Sequence, residues 1–167
     1  MISPVRAGRP APAVAPEFVG LLIASARRRI KQAVLARAAR HRLAPQQFWL
    51  LVALRENPGL SQVELSERMR ADAPTVSRVV SSLNRRGLIQ TDLDAKDRRR
   101  VRLRLTSMGE RLARELCSSA AEIRGALVDG MTAEEQDALR AALRRVIANL
   151  ERLESQRAAS RRERAST

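Results

Sequence analysis

The sequence predicts a mainly α-helical fold that carries one small β hairpin. Apolar residues recur at helical spacing through most of the chain. The segments Ser61-Gln62-Val63-Glu64 and Ser107-Met108-Gly109-Glu110 both match the capping box, in which Ser and Glu side chains bind free backbone N–H groups at a helix start. Only between Gly87 and Thr106 do apolar and polar residues alternate with the period of two that is typical of strands. One hairpin is therefore expected among helices.

Composition limits the classes of function. The 167 residues are 44% apolar, which suffices for one substantial core, and their net charge of +14 should attract polyanions, with nucleic acid as the first candidate. A single cysteine, Cys117, excludes an intramolecular disulfide, and a single histidine, His41, leaves too few ligands for a zinc site. No cofactor or metal is expected. No apolar run reaches about 18 residues, so we expect no membrane partner and a cytoplasmic location.

The two ends of the chain differ from its middle. Residues 1–16 are rich in Pro, Ala and Gly and are predicted to form a flexible arm without a secretion signal. Residues 155–167 are rich in Arg, Ser and Ala and are predicted to form a disordered basic tail. A solvated state is favoured for both ends over nonspecific contact with phosphates.

Six helices are predicted from helix-starting and helix-ending residues. Asp72 offers an N-cap, Pro74 fits the first turn that follows it, and Gly87 closes that same helix. In chain order the predicted helices span residues 17–40, 45–57, 61–70, 73–86, 107–129 and 132–154.

The predicted helix 73–86 has one apolar and one polar face. Val76, Val79, Val80 and Leu83 follow the i, i+3, i+4, i+7 spacing of a buried face. The opposite face is small and basic, which suits entry into a DNA major groove, where Arg pairs with guanine and Ser or Thr binds bases or phosphates. A merely solvated polar face is the alternative. The candidates for base contacts are Thr75, Ser77 and Arg78, and those for phosphate contacts are Ser81, Ser82 and Arg85.

The predicted hairpin is strongly basic. Eleven basic and four acidic residues lie between Arg68 and Arg104, which gives this segment half the net charge of the chain. At the tip, Arg98 is the candidate for insertion into a minor groove. Asp97 would be repelled by phosphate. It is expected to stabilise the wing by pairing with an Arg. Neighbouring candidates for DNA contacts are Lys96, Arg99 and Arg100.

A helix, a tight turn, a second helix and a basic hairpin form a winged helix-turn-helix, here over residues 45–106. The motifs in this region resemble the MarR (multiple antibiotic resistance regulator) family. The resemblance rests on Thr75-Val76-Ser77-Arg78-Val79-Val80, on Arg86-Gly87-Leu88-Ile89 and on the wing Asp94-Ala95-Lys96-Asp97-Arg98-Arg99. Gln90 departs from the family, which often has a basic residue there, and this puts one phosphate contact in doubt.

The resemblance implies a homodimer that binds double-stranded DNA at a pseudopalindromic operator. Residues 17–44 and 107–154 would supply the interleaved dimerisation helices. The sequence independently shows apolar stripes that a thin helical region could not cover alone, although packing within one chain is the alternative. The candidate dimerisation residues are Leu112, Leu116, Ile123, Leu127, Leu139, Leu143, Val146 and Leu150.

The resemblance also implies a response to a small aromatic effector or to cysteine oxidation. The aromatic-type side chains Phe18, Phe48, Trp49 and His41 are each favoured as core residues, and no ligand site is identified. Cys117 is favoured as buried and inert over a role as an oxidant sensor.

Rival functions receive less support. An enzyme would need a phosphate-binding glycine loop, a metal cluster or a catalytic triad, and the sequence offers none of these. A winged helix that binds protein is disfavoured by the basic wing. An architectural DNA-binding protein with low sequence specificity stays open beside the favoured interpretation, a transcriptional repressor.

Overall fold

The computed structural model describes residues 17–93 and 101–165 and confirms a mainly α-helical fold with a small β wing. Its secondary structure follows the predicted order. The elements are α1 (Val19–Ala38), a 3-10 turn (Ala39–His41), α2 (Pro45–Glu56), α3 (Gln62–Met69), α4 (Ala73–Arg85), β1 (Ile89–Leu93), β2 (Val101–Leu105), α5 (Ser107–Leu127) and α6 (Ala133–Ala165). The chain divides into two compact units, one up to Ala120 and one from Ala121 onward.

The predicted start of α3 is confirmed in atomic detail. The Ser61 hydroxyl accepts a hydrogen bond from the backbone N–H of Glu64 at 3.2 Å, and the Glu64 carboxylate accepts from the Ser61 N–H at 2.8 Å. Thr132 and Glu135 make the same reciprocal pair before α6. Both boxes bind N–H groups that have no partner inside their helix.

The start of α5 differs from the sequence prediction. The hydroxyl of Thr106, not of Ser107, accepts the hydrogen bond from the Gly109 N–H at 3.1 Å, and Ser107 is the first helical residue. The Thr106 hydroxyl also donates to the Gly87 carbonyl at 2.6 Å. One side chain thus caps α5 and joins it to the end of α4, a contact that local spacing could not reveal.

The core of the first unit is centred on α2. Phe48 and the run Leu50, Leu51, Val52, Ala53 and Leu54 are all buried, so this helix is covered on nearly every side. Helices α1, α3 and α4 and strand β2 contact it. The predicted inner face of α4 is confirmed, because Val76, Val80 and Leu83 are buried and Val79 is half-buried.

The wing is a two-stranded antiparallel sheet. Ile89 pairs with Leu105 and Thr91 with Leu103, which is fully buried. The outer edge of β2 also meets the segment before α3, since the Leu103 N–H donates to the Leu60 carbonyl at 2.9 Å. The wing base is therefore held to the helix-turn-helix by backbone hydrogen bonds.

Helix α6 is longer than predicted. It continues through residues 155–165, so the prediction of a disordered tail is wrong for that range. The physical reason is composition: Ala, Arg, Glu and Gln are strong helix formers, and neither Gly nor Pro interrupts the span from Ala133 to Ala165. The predicted arm at residues 1–16 and the last two residues lie outside the described residues.

Several side chains are placed differently from expectation. Leu116 and Ile123 are buried within the single chain, which corrects their assignment to a dimer surface. Phe18 is 72% exposed rather than a core residue, because it precedes the first turn of α1. Cys117 is half-buried rather than fully buried.

Gly109, in the first turn of α5, lies close to the backbone of Leu88, the residue before β1. A Cβ at this position would lie 1.9 Å from the Leu88 carbonyl oxygen, a contact that backbone atoms cannot relieve without moving. We expect Gly109→Ala to lower the free energy of unfolding by about 3 kcal/mol, measured by chemical denaturation. Gly125→Ala in the same helix is the matched control, because a Cβ there meets no atom within 4 Å. The control should gain stability by about 0.5 kcal/mol. Equal stability of the two variants would contradict this account.

Candidate nucleic-acid interface

The outer face of α4 presents polar and basic side chains to solvent. Ser77, Arg78, Ser81 and Arg85 are exposed, as the sequence predicts for residues opposite the buried valines. The helix beneath them is held by its apolar face against the core. The face is therefore accessible and rigidly backed, which is what insertion of a recognition helix into a major groove requires.

The N-terminus of α4 is closed by a small hydrogen-bond network. The Asp72 carboxylate accepts from the Thr75 N–H at 2.8 Å and from the Thr75 hydroxyl at 2.9 Å. Arg78 lies over the same turn and donates to the Pro74 carbonyl at 3.3 Å and to the Thr75 hydroxyl oxygen at 3.4 Å. Thr75 is thus part of the helix cap, a role that its prediction as a base-contacting residue did not include.

The charge of Asp72 affects what this end of α4 can bind. Hydrogen bonds from the Thr75 N–H and hydroxyl, together with nearby Arg78, hold the pKa of Asp72 below its ordinary value. The carboxylate therefore stays ionised at neutral pH. Because the carboxylate already accepts the hydrogen bond of the Thr75 N–H and its charge repels phosphate, binding of a DNA phosphate is disfavoured at this helix end. Base contacts by the side chains of this first turn stay a prediction.

Ser82 is turned away from the outer face where the sequence prediction placed it. It is half-buried, and its hydroxyl accepts a hydrogen bond from the Gln47 amide of α2 at 2.9 Å. The reason is that Ser82 lies at the border between the two faces, beside the buried Leu83. Its contact with phosphate stays a prediction.

Arg102 anchors the wing. Its guanidinium donates to the Gly59 carbonyl at 2.9 Å and to the Glu64 carboxylate at 3.3 Å. The same Glu64 oxygen accepts from the N–H and hydroxyl of Ser61, each at 2.8 Å. The capping box of α3 and the base of the wing therefore share one carboxylate, and sequence reasoning missed this because it counted Arg102 only as charge.

The other described arginine of β2 is also paired. Arg104 Nε lies 3.1 Å from an Asp92 carboxylate oxygen on β1. These contacts hold the strands together but leave the predicted tip residues untested, because residues 94–100 lie outside the described ranges. The roles of the tip stay predictions for Lys96, Asp97, Arg98, Arg99 and Arg100.

The described residues give no sign of a metal site or of a membrane span. Over residues 17–93 and 101–165, no cluster of three or more His, Cys, Asp or Glu side chains is arranged to hold a metal ion. None of the helices in these ranges has the length and apolar character needed to cross a membrane.

Comparisons with known proteins identify this architecture. The MarR family model matches residues 43–100, which include α2, α3, α4 and the first wing strand, β1. The HTH-type transcriptional repressor NicR of Pseudomonas putida is 32% identical over 131 residues, which cover 78% of this chain and 83% of the relative. This chain belongs to the MarR family.

Two solved structures of MarR-type regulators extend the comparison. The S. aureus MepR–DNA complex superposes with a TM-score of 0.69 at 27% identity and covers 80% of this chain and 99% of MepR. The PcaV transcriptional regulator of Streptomyces coelicolor, solved in complex with its natural ligand, has a TM-score of 0.65 at 31% identity and covers 83% of this chain and 97% of PcaV.

These matches establish the general activity. The MarR fold, the winged helix-turn-helix and the regulators that resemble it make this chain a DNA-binding regulator of transcription and not an enzyme. Within that activity, α4 is the recognition helix and β1 and β2 form the base of the wing.

The anchoring role of Arg102 can be separated from its charge. We expect Arg102→Met to lower the free energy of unfolding by about 2 kcal/mol, because the Gly59 carbonyl and the Glu64 carboxylate lose a charged donor. Arg104→Met removes the same charge from the same strand, but Arg104 is 64% exposed, and its loss should cost less than about 1 kcal/mol. Urea denaturation of both variants makes the measurement. Losses of equal size would mean that Arg102 does not anchor the wing.

Proposed function

We propose that this MarR-family regulator is a homodimeric repressor that binds pseudopalindromic operators and is released by a small-molecule effector. The observation that carries the proposal is the outer face of α4. The helix is capped and its inner face is buried, and the side chains exposed on its outer face are Ser77, Arg78, Ser81 and Arg85. The NicR relative, itself a repressor, supports the direction of regulation.

Exposed apolar side chains support the homodimer. Within the first unit, the N-terminal half of α1 carries Leu21 at 63% and Leu22 at 47% exposure. Within the second unit, four leucines of α6 are at least 39% exposed. Three of them belong to the predicted dimerisation set. Exposed apolar surface of this extent is characteristic of an interface. Its burial contributes about 25 cal/mol of favourable free energy per Å². The α6 residues are Leu139, Leu143, Leu150 and Leu153.

The predicted dimerisation set is therefore revised for this proposal. Leu127 joins the exposed residues at 45%, whereas Leu112 and Val146 are half-buried and contribute less surface. Leu116 and Ile123 belong to the interior of the single chain. A second copy of the chain supplies the simplest apolar partner for these side chains, because a twofold axis lets each chain cover the exposed residues of the other.

A cleft at the base of the wing is the candidate effector site. It has a volume of about 320 Å³ and lies between α2, β2 and α5. Its walls combine apolar side chains with one cation and one anion, so a small molecule bound there would meet both apolar and charged groups. The PcaV regulator, which has a natural ligand, supports an effector for this chain too. The lining residues are Leu54, Pro58, Gly59, Arg104, Leu105 and Glu110.

The proposal also gives the place of action. A regulator of transcription works where the genome is, which for the bacterial relatives is the cytoplasm. The net charge of +14 favours one further candidate, an architectural protein that coats DNA with low specificity. The two functions differ in sequence preference, and selection from random DNA separates them.

The first prediction is a sequence preference with twofold symmetry. Purified protein at about physiological salt should enrich, from a random duplex library, a pseudopalindrome whose half-sites lie about ten base pairs apart. Tight binding without enrichment would favour the architectural function. Sedimentation analysis should give twice the monomer mass, and a monomer that still binds one half-site with full affinity would refute the homodimer.

The second prediction concerns Arg78. Arg78→Ala should weaken binding to the enriched duplex by about 1–3 kcal/mol and relax the base preference at one position of each half-site. Arg144→Ala on α6 removes an equal exposed charge and should leave the base preference unchanged. Repeating the selection with both variants makes the measurement. An unchanged base preference in the Arg78 variant would exclude Arg78 from base recognition.

A further inference from the structure

The recognition helix is tied to the corner between α1 and α2 by three polar contacts. Arg86, at the C-terminal end of α4, donates to the Arg42 carbonyl at 2.9 Å and to the His41 carbonyl at 3.1 Å. Gln47 donates to the Ser82 hydroxyl at 2.9 Å. Ser82 and Arg86 are four residues apart and so lie on one side of the helix. We name the three side chains of Gln47, Ser82 and Arg86 the corner clamp.

The corner itself is rigid. Arg42 adopts a left-handed conformation with φ of 53°, and the Leu43 N–H donates to the Ala38 carbonyl at 3.0 Å, which closes the end of α1. The Gln47 side chain is held at both ends, because its oxygen accepts from the Ala44 N–H at 2.9 Å while its nitrogen reaches Ser82. A fixed amide and two fixed carbonyls therefore meet α4.

The contacts have favourable electrostatics. The carbonyls of His41 and Arg42 lie at the C-terminal end of the α1 region, where helical carbonyls lack partners and the helix dipole is negative. A guanidinium with its forked donors matches such a pair, and a charged donor makes a stronger hydrogen bond than a neutral one. Arg86 therefore has a defined role within the protein, although its place in a basic helix would suggest a phosphate contact.

The clamp supplies what apolar packing cannot. Val76, Val80 and Leu83 hold α4 against the core, but apolar contacts have no direction and permit a helix to slide or rotate slightly. Hydrogen bonds with short distances fix the position along the helix as well. The corner also continues toward α5, since His41 Nε2 lies 3.9 Å from a Glu115 carboxylate oxygen. The clamp thus connects α4 to the end of α1, and the corner lies beside Glu115 of α5.

We propose that the corner clamp sets the half-site spacing that this protein accepts on DNA. The inference rests on the proposed homodimer. If α1 and α5 belong to the dimer interface, then the position of α4 relative to α1 determines how far apart the two recognition helices lie. Adjacent major grooves on one side of DNA are about 34–36 Å apart, so a displaced recognition helix mismatches the operator even when every base-contacting side chain is intact. Gln47, Ser82 and Arg86 are positioning residues that determine specificity without contacting a base.

The test compares operators whose spacing is altered. The probes are the duplex enriched by selection and two derivatives with one base pair added or removed between the half-sites. Wild-type protein should prefer the original spacing by about tenfold or more. Gln47→Leu and Arg86→Met should reduce this preference to about threefold or less. Gln46→Leu is the matched control on the same helix, because Gln46 is exposed, and it should keep the wild-type preference.

Salt dependence separates positioning from phosphate contact. Arg86→Met should leave the slope of log affinity against log salt unchanged, because Arg86 binds carbonyls. Arg85→Met, which removes a predicted phosphate contact, should lower that slope by about one and keep the spacing preference. Arg86→Lys retains the positive charge but not the forked pair of nitrogens, and it should keep part of the preference that Arg86→Met loses. A thermal melt of each variant shows whether it is folded. If Arg86→Met does not fold, the spacing preference of Gln47→Leu tests the inference.

The outcomes distinguish this inference from the proposed function. If the wild type prefers one spacing and both clamp variants keep that preference, the clamp does not set spacing. A slope reduced by about one in Arg86→Met, with the preference intact, would instead make Arg86 a phosphate contact. A wild type that accepts all three spacings equally would overturn the dimeric operator, and this inference with it.

Discussion

Burial of α2 is the interaction on which the rest of the structure depends. Five consecutive residues, from Leu50 to Leu54, are buried, so this stretch of α2 has no side that faces solvent. Helices α1, α3 and α4 and strand β2 each cover part of it. The helices that read DNA and the helix expected at a dimer interface therefore share one apolar support. A displacement of α2 would shift every element that packs on it, because protein interiors are close-packed.

Polar contacts then fix what this burial leaves free. The Glu64 carboxylate joins the start of α3 to Arg102 at the wing base, and Thr106 joins the start of α5 to Gly87 at the end of α4. Each of these side chains also caps a helix. Capping groups thus serve a second purpose as connections between elements.

The sequence predicted the features that depend on near neighbours. The Ser61 capping box, the Asp72 cap and the apolar face of α4 all arise within a few residues, and each is confirmed. The contacts of Arg102, Gln47 and Arg86 escaped prediction, because they join residues 35 to 45 positions apart, over which no local pattern carries a signal. The start of α5 was misplaced because Thr106 and Ser107 both suit a cap, and only the distant contact of Thr106 with Gly87 distinguishes them.

The close contact at Gly109 has an evolutionary consequence. The site lies where the first turn of α5 passes the backbone of Leu88, and a side chain of any size would meet the carbonyl oxygen there. Under the proposed function, mutations at exposed positions of α4 and the wing can alter which DNA sequence is bound while the fold persists. Position 109 has no such freedom, since a substitution would disturb the frame itself. Divergence among descendants of this chain should therefore proceed around a fixed glycine, and new DNA specificities can arise without passing through an unstable intermediate.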